Sequence, residues 1–195
     1  MADHSDLLKE LRELTGAGVM DIKSALDEAD GDKAKAVEIL RKKGQSKILK
    51  KADRVAKEGI IQSYVHAGAR VGVLVEVNCE TDFVARTDAF KELAKELSMH
   101  IAAANPLYVN AADVPDEAIA KEKEIYGEQV KAKPADVAEK IIEGKLAKFY
   151  EEVCLMEQPF FRDQDKKVKD AVAEAVAKMG ENVVVRRFAR YQLGA

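Results

Sequence analysis

Apolar residues recur every three or four positions along the first quarter of the chain, which is the spacing of one face of a helix. This pattern is broken at residues 15–18 and again at residues 30–31, where glycines favour turns. Asp32 is suited to cap a third helix, and Gly44 is suited to end it. The pattern therefore predicts a three-helix bundle over residues 1–45. The apolar residues at helical spacing are Leu7, Leu8, Leu11, Leu14, Ile22, Ala25, Leu26, Ala29, Ala36, Val37 and Leu40.

Residues 46–58 form a basic segment that keeps helical spacing and is predicted to end at Gly59. Between positions 47 and 57 it holds five basic side chains against one acidic side chain, Asp53. Two interpretations stay open: a solvated connecting helix, or a contact surface for an acidic partner or RNA. The formal net charge of −3 speaks against RNA, because nonspecific phosphate binding usually needs a strongly basic domain. The sequence therefore predicts a helical linker and no direct contact with nucleic acid.

After Gly59 the hydrophobic period changes from that of a helix to that of a strand. Two β-rich runs, at residues 60–66 and 71–77, flank a short turn that contains glycine, which predicts an antiparallel hairpin. Thr87 is suited to cap the long helix that follows, and this helix is predicted to end before Pro106.

Three further elements are predicted in the C-terminal half. Charged segments with narrow apolar seams predict a helical hairpin over about 115–153, which is broken at Pro134. A last helix is predicted to stop at Gly180, and residues 183–191 are predicted to form a terminal strand. Because helices and strands occur in separate blocks, the predicted fold class is α+β, with an antiparallel-sheet core and packed helices over residues 59–195.

Composition and spacing exclude several classes of protein. With 47% hydrophobic and 34% charged residues, the chain can bury a core, which excludes a disordered tail. Its apolar runs are too short to cross a bilayer and its first residues lack a leader pattern, so we expect a cytoplasmic protein without membrane association. Two cysteines, three scattered histidines and no phosphate-binding glycine loop predict no bound metal, cofactor or nucleotide.

The connector between the predicted hairpin and the long helix holds the most distinctive candidate site, Thr81, Asp82, Phe83 and Val84. A large aromatic side chain beside a carboxylate in a polar loop can project as a wedge, and loops on rigid scaffolds often carry function. The alternative is that Phe83 plugs the core and that Asp82 satisfies local backbone N–H groups. Both interpretations stay open on the residues alone.

A second candidate site lies at the turn between the first two helices. Gly18, Val19 and Met20 could form an apolar docking patch, since Met packs adaptably against a partner. They could equally close the small core of the bundle. A protein-binding adaptor that uses this bundle is therefore an alternative function for the chain.

A thiol enzyme is the third possibility, with Cys79 as nucleophile, His100 as base and Asp82 as the orienting acid. Such groups must converge in space, and nothing in their spacing shows that they do. A buried and inert Cys79 at a strand end is the simpler interpretation. We therefore expect no enzymatic activity.

Two long segments of the chain resemble signatures of the bacterial elongation factor Ts family, in its short-chain form. The first is LRELTGAGVMDIK at residues 11–23, and the second is VNCETDFVA at residues 77–85. Shorter matches are MHIA at 99–102, QPF at 158–160 and GENV at 180–183. The resemblance spans essentially the whole chain, and its motifs are long and occur in order.

This resemblance implies a guanine-nucleotide exchange factor for elongation factor Tu, the GTPase that delivers aminoacyl-tRNA to the ribosome. The bundle would correspond to the family's ubiquitin-associated-like domain, which docks on the nucleotide domain of the GTPase. Thr81, Asp82, Phe83 and Val84 fall on the family motif that helps dislodge the nucleotide-bound Mg²⁺. Phe83 would enter an apolar slot of the GTPase, and Asp82 would make polar contacts nearby.

The resemblance also implies an oligomeric state. Short members of the family pair as homodimers, so we expect a symmetric dimer joined through the terminal strands and a 2:2 complex with the GTPase. Some relatives carry a cysteine in the last strand that can cross-link the pair. Ala189 occupies the comparable position here, so no disulfide is expected there.

Overall fold

The computed structural model describes residues 4–15 and 17–195 and shows a mixed α and β architecture. Its helices are α1 (His4–Thr15), α2 (Val19–Glu28), α3 (Lys33–Ala52), α4 (Asp82–Ala85), α5 (Asp88–Ala104), α6 (Asp116–Val130), α7 (Ala135–Val153) and α8 (Val168–Met179). Its strands are β1 (Glu58–Val65), β2 (Val71–Cys79), β3 (Pro159–Phe160), β4 (Asp163–Lys167) and β5 (Val183–Gln192). One sheet has the strand order β1-β2-β5, and β3 pairs antiparallel with β4. The predicted α+β class is confirmed.

The three N-terminal helices form around a small buried core, as predicted. The carboxylate of Asp32 accepts a hydrogen bond from the backbone N–H of Lys35 at 3.0 Å, which caps the start of α3. Leu14 departs from the apolar pattern, because its side chain is exposed. The buried residues of this core are Leu11, Ile22, Ala25, Leu26, Ala29, Ala36 and Leu40.

Helix α3 is longer than predicted, because it continues through Gly44 and ends at Ala52. The prediction of a helix end at Gly44 is therefore wrong, as is the prediction that the basic segment stays helical to Gly59. Glycine within a helix costs only about 1 kcal/mol relative to alanine, and good helix formers on both sides offset that cost. Gly59 instead lies in β1 with a positive φ of 144°. The domain boundaries proposed at 1–45, 46–58 and 59–195 stay a prediction.

Strands β1 and β2 confirm the predicted hairpin. The backbone N–H of His66 donates to the carbonyl oxygen of Val71 at 2.9 Å, and the turn passes through the left-handed region at Gly68 and Ala69, with φ of 87° and 54°. Alternate residues of β2 are buried, as expected for a strand with one face on a core. Thr87 caps α5 as predicted, because its hydroxyl oxygen accepts from the N–H of Phe90 at 3.3 Å.

The C-terminal half contains the predicted helical hairpin, α6 and α7, in which the Lys145 ammonium lies 5.2 Å from the centre of the Tyr126 ring. Helix α8 ends at Met179, directly before Gly180, whose φ is 79°, and β5 follows as predicted. Sequence reasoning missed β3 and β4, because the polar sequence of β4 lacks the alternation that marks a half-buried strand.

The chain divides into two compact units. The first unit comprises Met1–Ile60, Asn78–Lys91 and Val172–Val184, and the second comprises Ile61–Val77, Glu92–Ala171 and Val185–Ala195. The connector after β2 therefore belongs to the same compact unit as the end of α8. Across residues 4–15 and 17–195, no helix has both the length and the apolar character that a membrane crossing requires.

His100 on α5 is almost fully buried, with 2% of its surface exposed. Its Nε2 lies 3.0 Å from the side-chain oxygen of Gln158, and its Nδ1 accepts from the backbone N–H of Phe161 at 3.4 Å. This pair of bonds suits a neutral ring with its proton on Nε2. Burial lowers the pKa of His100 below its ordinary value of 6.5.

We therefore predict that acid weakens the fold through His100. Because the folded pKa lies below the unfolded value, the stabilising effect is complete above about pH 6.5 and is lost as the pH falls through the folded pKa. Urea unfolding should give a smaller free energy of unfolding at about pH 5 than at about pH 7.5, and His100→Gln should reduce that difference. His66→Gln, at an exposed histidine, is the control. If the free energy of unfolding of His100→Gln depended on pH as in the original protein, the assignment of the acid effect to His100 would be contradicted.

Candidate partner-binding site

The connector after β2 folds into the short helix α4. Thr81 has extended backbone angles and caps α4, since its hydroxyl oxygen accepts from the N–H of Val84 at 3.4 Å. Asp82 occupies the first turn, where a negative charge is favourable at a helix N-terminus. Ala85 is buried and anchors the inner face of α4. The local sequence thus explains why a helix begins here.

Phe83 projects from the opposite side of α4. Residues two positions apart in a helix are rotated by about 200°, so burial of Ala85 directs position 83 outward. The Phe83 side chain is 78% exposed, more than any other large hydrophobic side chain of the described residues. The interpretation of Phe83 as a core plug is therefore wrong, and its role as a wedge stays a prediction that this exposure allows.

Charged residues stand close to Phe83 in the sequence, at positions 82 and 86. The guanidinium of Arg86 lies 2.8 Å from the carboxylate of Asp82, four residues earlier. Both side chains are substantially exposed, so this ion pair adds little stability. The Asp82 carboxylate, next to Phe83 in the sequence, is thus paired with Arg86 and about half exposed.

The base of the connector is held by Glu181, which follows α8. One carboxylate oxygen of Glu181 accepts from the backbone N–H groups of Glu80 and Thr81, at 3.1 and 3.0 Å. The other accepts from the Thr81 hydroxyl at 2.7 Å. In the sequence Glu181 stands out only as part of GENV at residues 180–183, and no local signal reveals this contact, because its partner Thr81 is 100 positions away in the chain.

The turn between α1 and α2 presents the second candidate site. Gly18 is the N-cap of α2, Val19 is 43% exposed and Met20 is 77% exposed. Neither side chain belongs to the bundle core, so the interpretation that they close it is wrong. Leu14, near the end of α1, is also exposed. These apolar side chains are available for docking on a partner.

The residues of the hypothetical thiol enzyme are engaged elsewhere. The Cys79 thiol donates to the carbonyl oxygen of Thr81 at 3.1 Å, and both ring nitrogens of His100 are occupied by Gln158 and Phe161. Burial, and then the charge of Glu181, raise the pKa of the Cys79 thiol. Burial likewise raises the pKa of Cys154, to about 11. Both thiols are therefore poor nucleophiles at neutral pH.

The fold and site define an α+β protein with an N-terminal helical bundle and a wedge-like aromatic residue on a short helix. The family model described as "Elongation factor TS" matches residues 23–195. Curated proteins of that name cover nearly the whole chain. The protein of Thermotoga maritima is 61% identical over 189 residues, which is 97% of this chain and 95% of the relative. The protein of Carboxydothermus hydrogenoformans is 57% identical over 192 residues, which is 97% of this chain and 88% of the relative.

A third relative, from Thermodesulfovibrio yellowstonii, is 56% identical over 195 residues, which is 100% of this chain and 98% of the relative. The chain belongs to the elongation factor Ts family. This membership confirms the resemblance drawn from the two long signatures. It also makes the protein a translation elongation factor, with a role in protein biosynthesis.

Proposed function

We propose that the protein is a guanine-nucleotide exchange factor for elongation factor Tu and acts in the cytoplasm. It would bind elongation factor Tu·GDP, help displace Mg²⁺ and promote GDP release so that GTP can bind. Family membership supports this proposal at the level of translation elongation. The observation that carries the mechanism is the exposed Phe83 ring on α4.

The exchange step follows from the burial of one aromatic side chain. Full burial of a phenylalanine side chain contributes about 2–3 kcal/mol. Because Phe83 is mostly exposed in the free protein, most of this free energy can be gained when the ring is buried against a partner. If its slot opens only in a distorted form of the GTPase, inserting the ring favours that form. Mg²⁺ bridges phosphate oxygens and protein ligands, so a distortion that displaces those ligands weakens GDP binding.

The coupling between the two ligands is reciprocal. If Phe83 weakens nucleotide binding by some factor, nucleotide weakens binding of this protein by the same factor. Entry of GTP then releases the protein for another cycle. No covalent bond is made or broken, and we therefore propose that the chain is not an enzyme in the covalent sense.

Docking by the bundle would contribute to the affinity for elongation factor Tu, whereas Phe83 would promote release of the nucleotide. Val19 and Met20 offer apolar area at the start of α2, and Met adapts to the shape of its partner. Linking this contact to the Phe83 contact within one chain raises the effective concentration of the second element once the first is bound. In the adaptor alternative, the bundle alone binds a partner protein, and GDP release is not accelerated.

Release of labelled GDP from elongation factor Tu tests the proposal. A substoichiometric amount of this protein should accelerate release and should turn over many times. Binding with no acceleration would support the adaptor and contradict the exchange factor. The absence of both binding and acceleration would contradict the exchange factor, and a pull-down dominated by a partner other than a GTPase would then favour the adaptor.

We also propose a homodimer joined through β5, which gives a 2:2 complex. Tyr191 on this strand is 72% exposed, and Leu193, directly after the strand, is exposed as well. Exposed apolar side chains of this kind are suited to burial against an identical surface. The protein has two cysteines, and both are buried, so the dimer depends on packing and strand contacts.

Sedimentation equilibrium should therefore give twice the chain mass of 21.5 kDa, with and without reducing agent. Tyr191→Asp should shift the equilibrium toward monomer, because a charge in an apolar interface is costly. Leu107→Asp is the matched control, since Leu107 is exposed and lies outside β5. A monomer at every concentration, or a Tyr191→Asp dimer as tight as the original, would contradict the proposal.

A further inference from the structure

We propose that Glu181 is a positioning residue that holds the base of α4, so that Phe83 keeps its projection when it presses on a partner. This inference rests on the proposed exchange function and assigns a role to a residue outside the connector. Glu181 does not need to touch the partner. It acts through residues 80–81, which immediately precede α4.

Helix α4 needs an external support because it is only four residues long. The first turn of a helix fixes several backbone angles for one hydrogen bond, so an isolated turn is unstable in water. Its own cap is a long bond of 3.4 Å between Val84 N–H and the Thr81 hydroxyl. The Asp82–Arg86 ion pair is exposed and contributes little. A force on Phe83 would therefore turn the helix unless its first residue were fixed.

Glu181 supplies that support through three hydrogen bonds from two consecutive residues. Two backbone N–H groups, of Glu80 and Thr81, and the Thr81 hydroxyl all donate to the one carboxylate. Hydrogen bonds to an ionised acceptor are about twice as strong as neutral ones. Thr81 is bound through both its backbone and its side chain, which fixes the residue that caps α4.

The support is itself fixed by a reciprocal contact. The carboxylate of Glu80 accepts from the backbone N–H of Asn182 at 2.7 Å, so Glu80 and Glu181 each bind the backbone of the other segment. The Asn182 amide donates to the carbonyl oxygen of Arg54 at 2.8 Å, and the Arg54 guanidinium lies 3.6 Å from Glu80. These contacts join the connector, the end of α8 and the segment before β1 within one compact unit.

Gly180 places Glu181 at this position. Its N–H donates to the carbonyl oxygen of Val176 at 3.0 Å, and its φ of 79° turns the chain out of α8. Glycine adopts this left-handed conformation without the strain that a side chain brings. Glu181, the residue after Gly180, is thereby brought within hydrogen-bond distance of the connector.

A double-mutant comparison tests the proposal. Glu181→Ala should lower the maximal rate of GDP release from elongation factor Tu by roughly tenfold, with little change in the half-saturating concentration, because three bonds to a charged acceptor are lost. In the Phe83→Ala background, Glu181→Ala should change the rate by less than about twofold, since the side chain it positions is absent. Glu181→Gln keeps an acceptor for both backbone N–H groups and should restore the rate to within about threefold of the original.

Glu174→Ala, at an exposed glutamate of α8, is the matched control and should leave the rate unchanged. The proposal would be overturned if Glu181→Ala lowered the maximal rate of GDP release by the same factor in both backgrounds. It would also be overturned if the Glu181→Ala variant released GDP at the rate of the original protein. If Glu181→Ala does not fold, Glu181→Asp replaces it in the same comparison. The shorter carboxylate cannot keep all three bonds and should lose about threefold only when Phe83 is present.

Amide hydrogen exchange tests the positioning role of Glu181 independently of nucleotide exchange. In the free protein, Glu181→Ala should speed exchange at the N–H groups of Glu80 and Thr81, because their acceptor is removed. This readout does not depend on elongation factor Tu. If the original protein fails to release GDP, the exchange function fails, and unchanged protection at residues 80–81 would then overturn the positioning role as well.

Discussion

Phe83→Ala should lower the maximal rate of GDP release from elongation factor Tu by roughly thirtyfold and leave the free energy of unfolding unchanged. Losing the burial of most of a benzyl group costs about 2 kcal/mol, and each 1.4 kcal/mol corresponds to a factor of ten. Stability should not change, because the side chain is 78% exposed and contributes little to the protein's own core. Stopped-flow release of labelled GDP and urea unfolding measure the two quantities.

Leu107→Ala is the matched control for this variant. Leu107 is a large, exposed apolar residue outside both candidate sites, so its removal should alter neither rate nor stability. Phe83→Leu should retain part of the rate, since it keeps apolar volume but not the full ring. A Phe83→Ala variant that releases GDP at the original rate would contradict the role of the wedge. A large loss of stability would show that Phe83 belongs to the core.

The Val19→Ala/Met20→Ala double variant should raise the half-saturating concentration by roughly a hundredfold with little change in the maximal rate. Removing the buried groups of both side chains costs about 3 kcal/mol at an interface, again at 1.4 kcal/mol for each factor of ten. The effect should appear in affinity, because the bundle docks but does not act on the nucleotide site. Titration of GDP-release rates against protein concentration separates the two parameters.

The same titration with Leu107→Ala provides the control for loss of exposed apolar surface. The bundle itself should stay folded, since neither Val19 nor Met20 is buried in its core. An unchanged half-saturating concentration would show that the patch at residues 18–20 does not dock. A loss confined to the maximal rate would assign these residues to the exchange step instead.

Local signals made most elements predictable from the sequence. Asp32 and Thr87 cap helices where a side-chain oxygen precedes an apolar repeat, and both caps form as expected. Gly180 ends α8 because a positive φ is needed there. The β-rich runs on either side of a glycine turn predicted the hairpin of β1 and β2. In each case the determining residues lie within a few positions of the element that they define.

Predictions failed where the deciding contacts are not local. Gly44 is a helix breaker by propensity, yet α3 continues past it to Ala52. Strand β4 is polar along its length, and its pairing with β3 is visible only in three dimensions. Propensity is a weak prior in such segments, because tertiary context decides between nearly equal local states.

The candidate site shows the same division. Thr81, Asp82, Phe83 and Val84 could be singled out in the sequence, but their residue types left both a core plug and a wedge open for Phe83. The exposure of the Phe83 side chain excludes the core plug, and this exposure depends on which face of α4 packs inward. Glu181 could not be assigned, because it binds a residue 100 positions away in the chain.

Release of GDP at saturating protein over a series of Mg²⁺ concentrations tests the central claim most directly. In the proposed mechanism, burial of the Phe83 ring loosens the cation that bridges the phosphates. Acceleration by the original protein should therefore be large at low Mg²⁺ and should decline as Mg²⁺ rises, because added cation opposes its displacement. Phe83→Ala should accelerate release weakly throughout. An acceleration by the original protein that is independent of Mg²⁺, or equal to that of Phe83→Ala, would contradict the account.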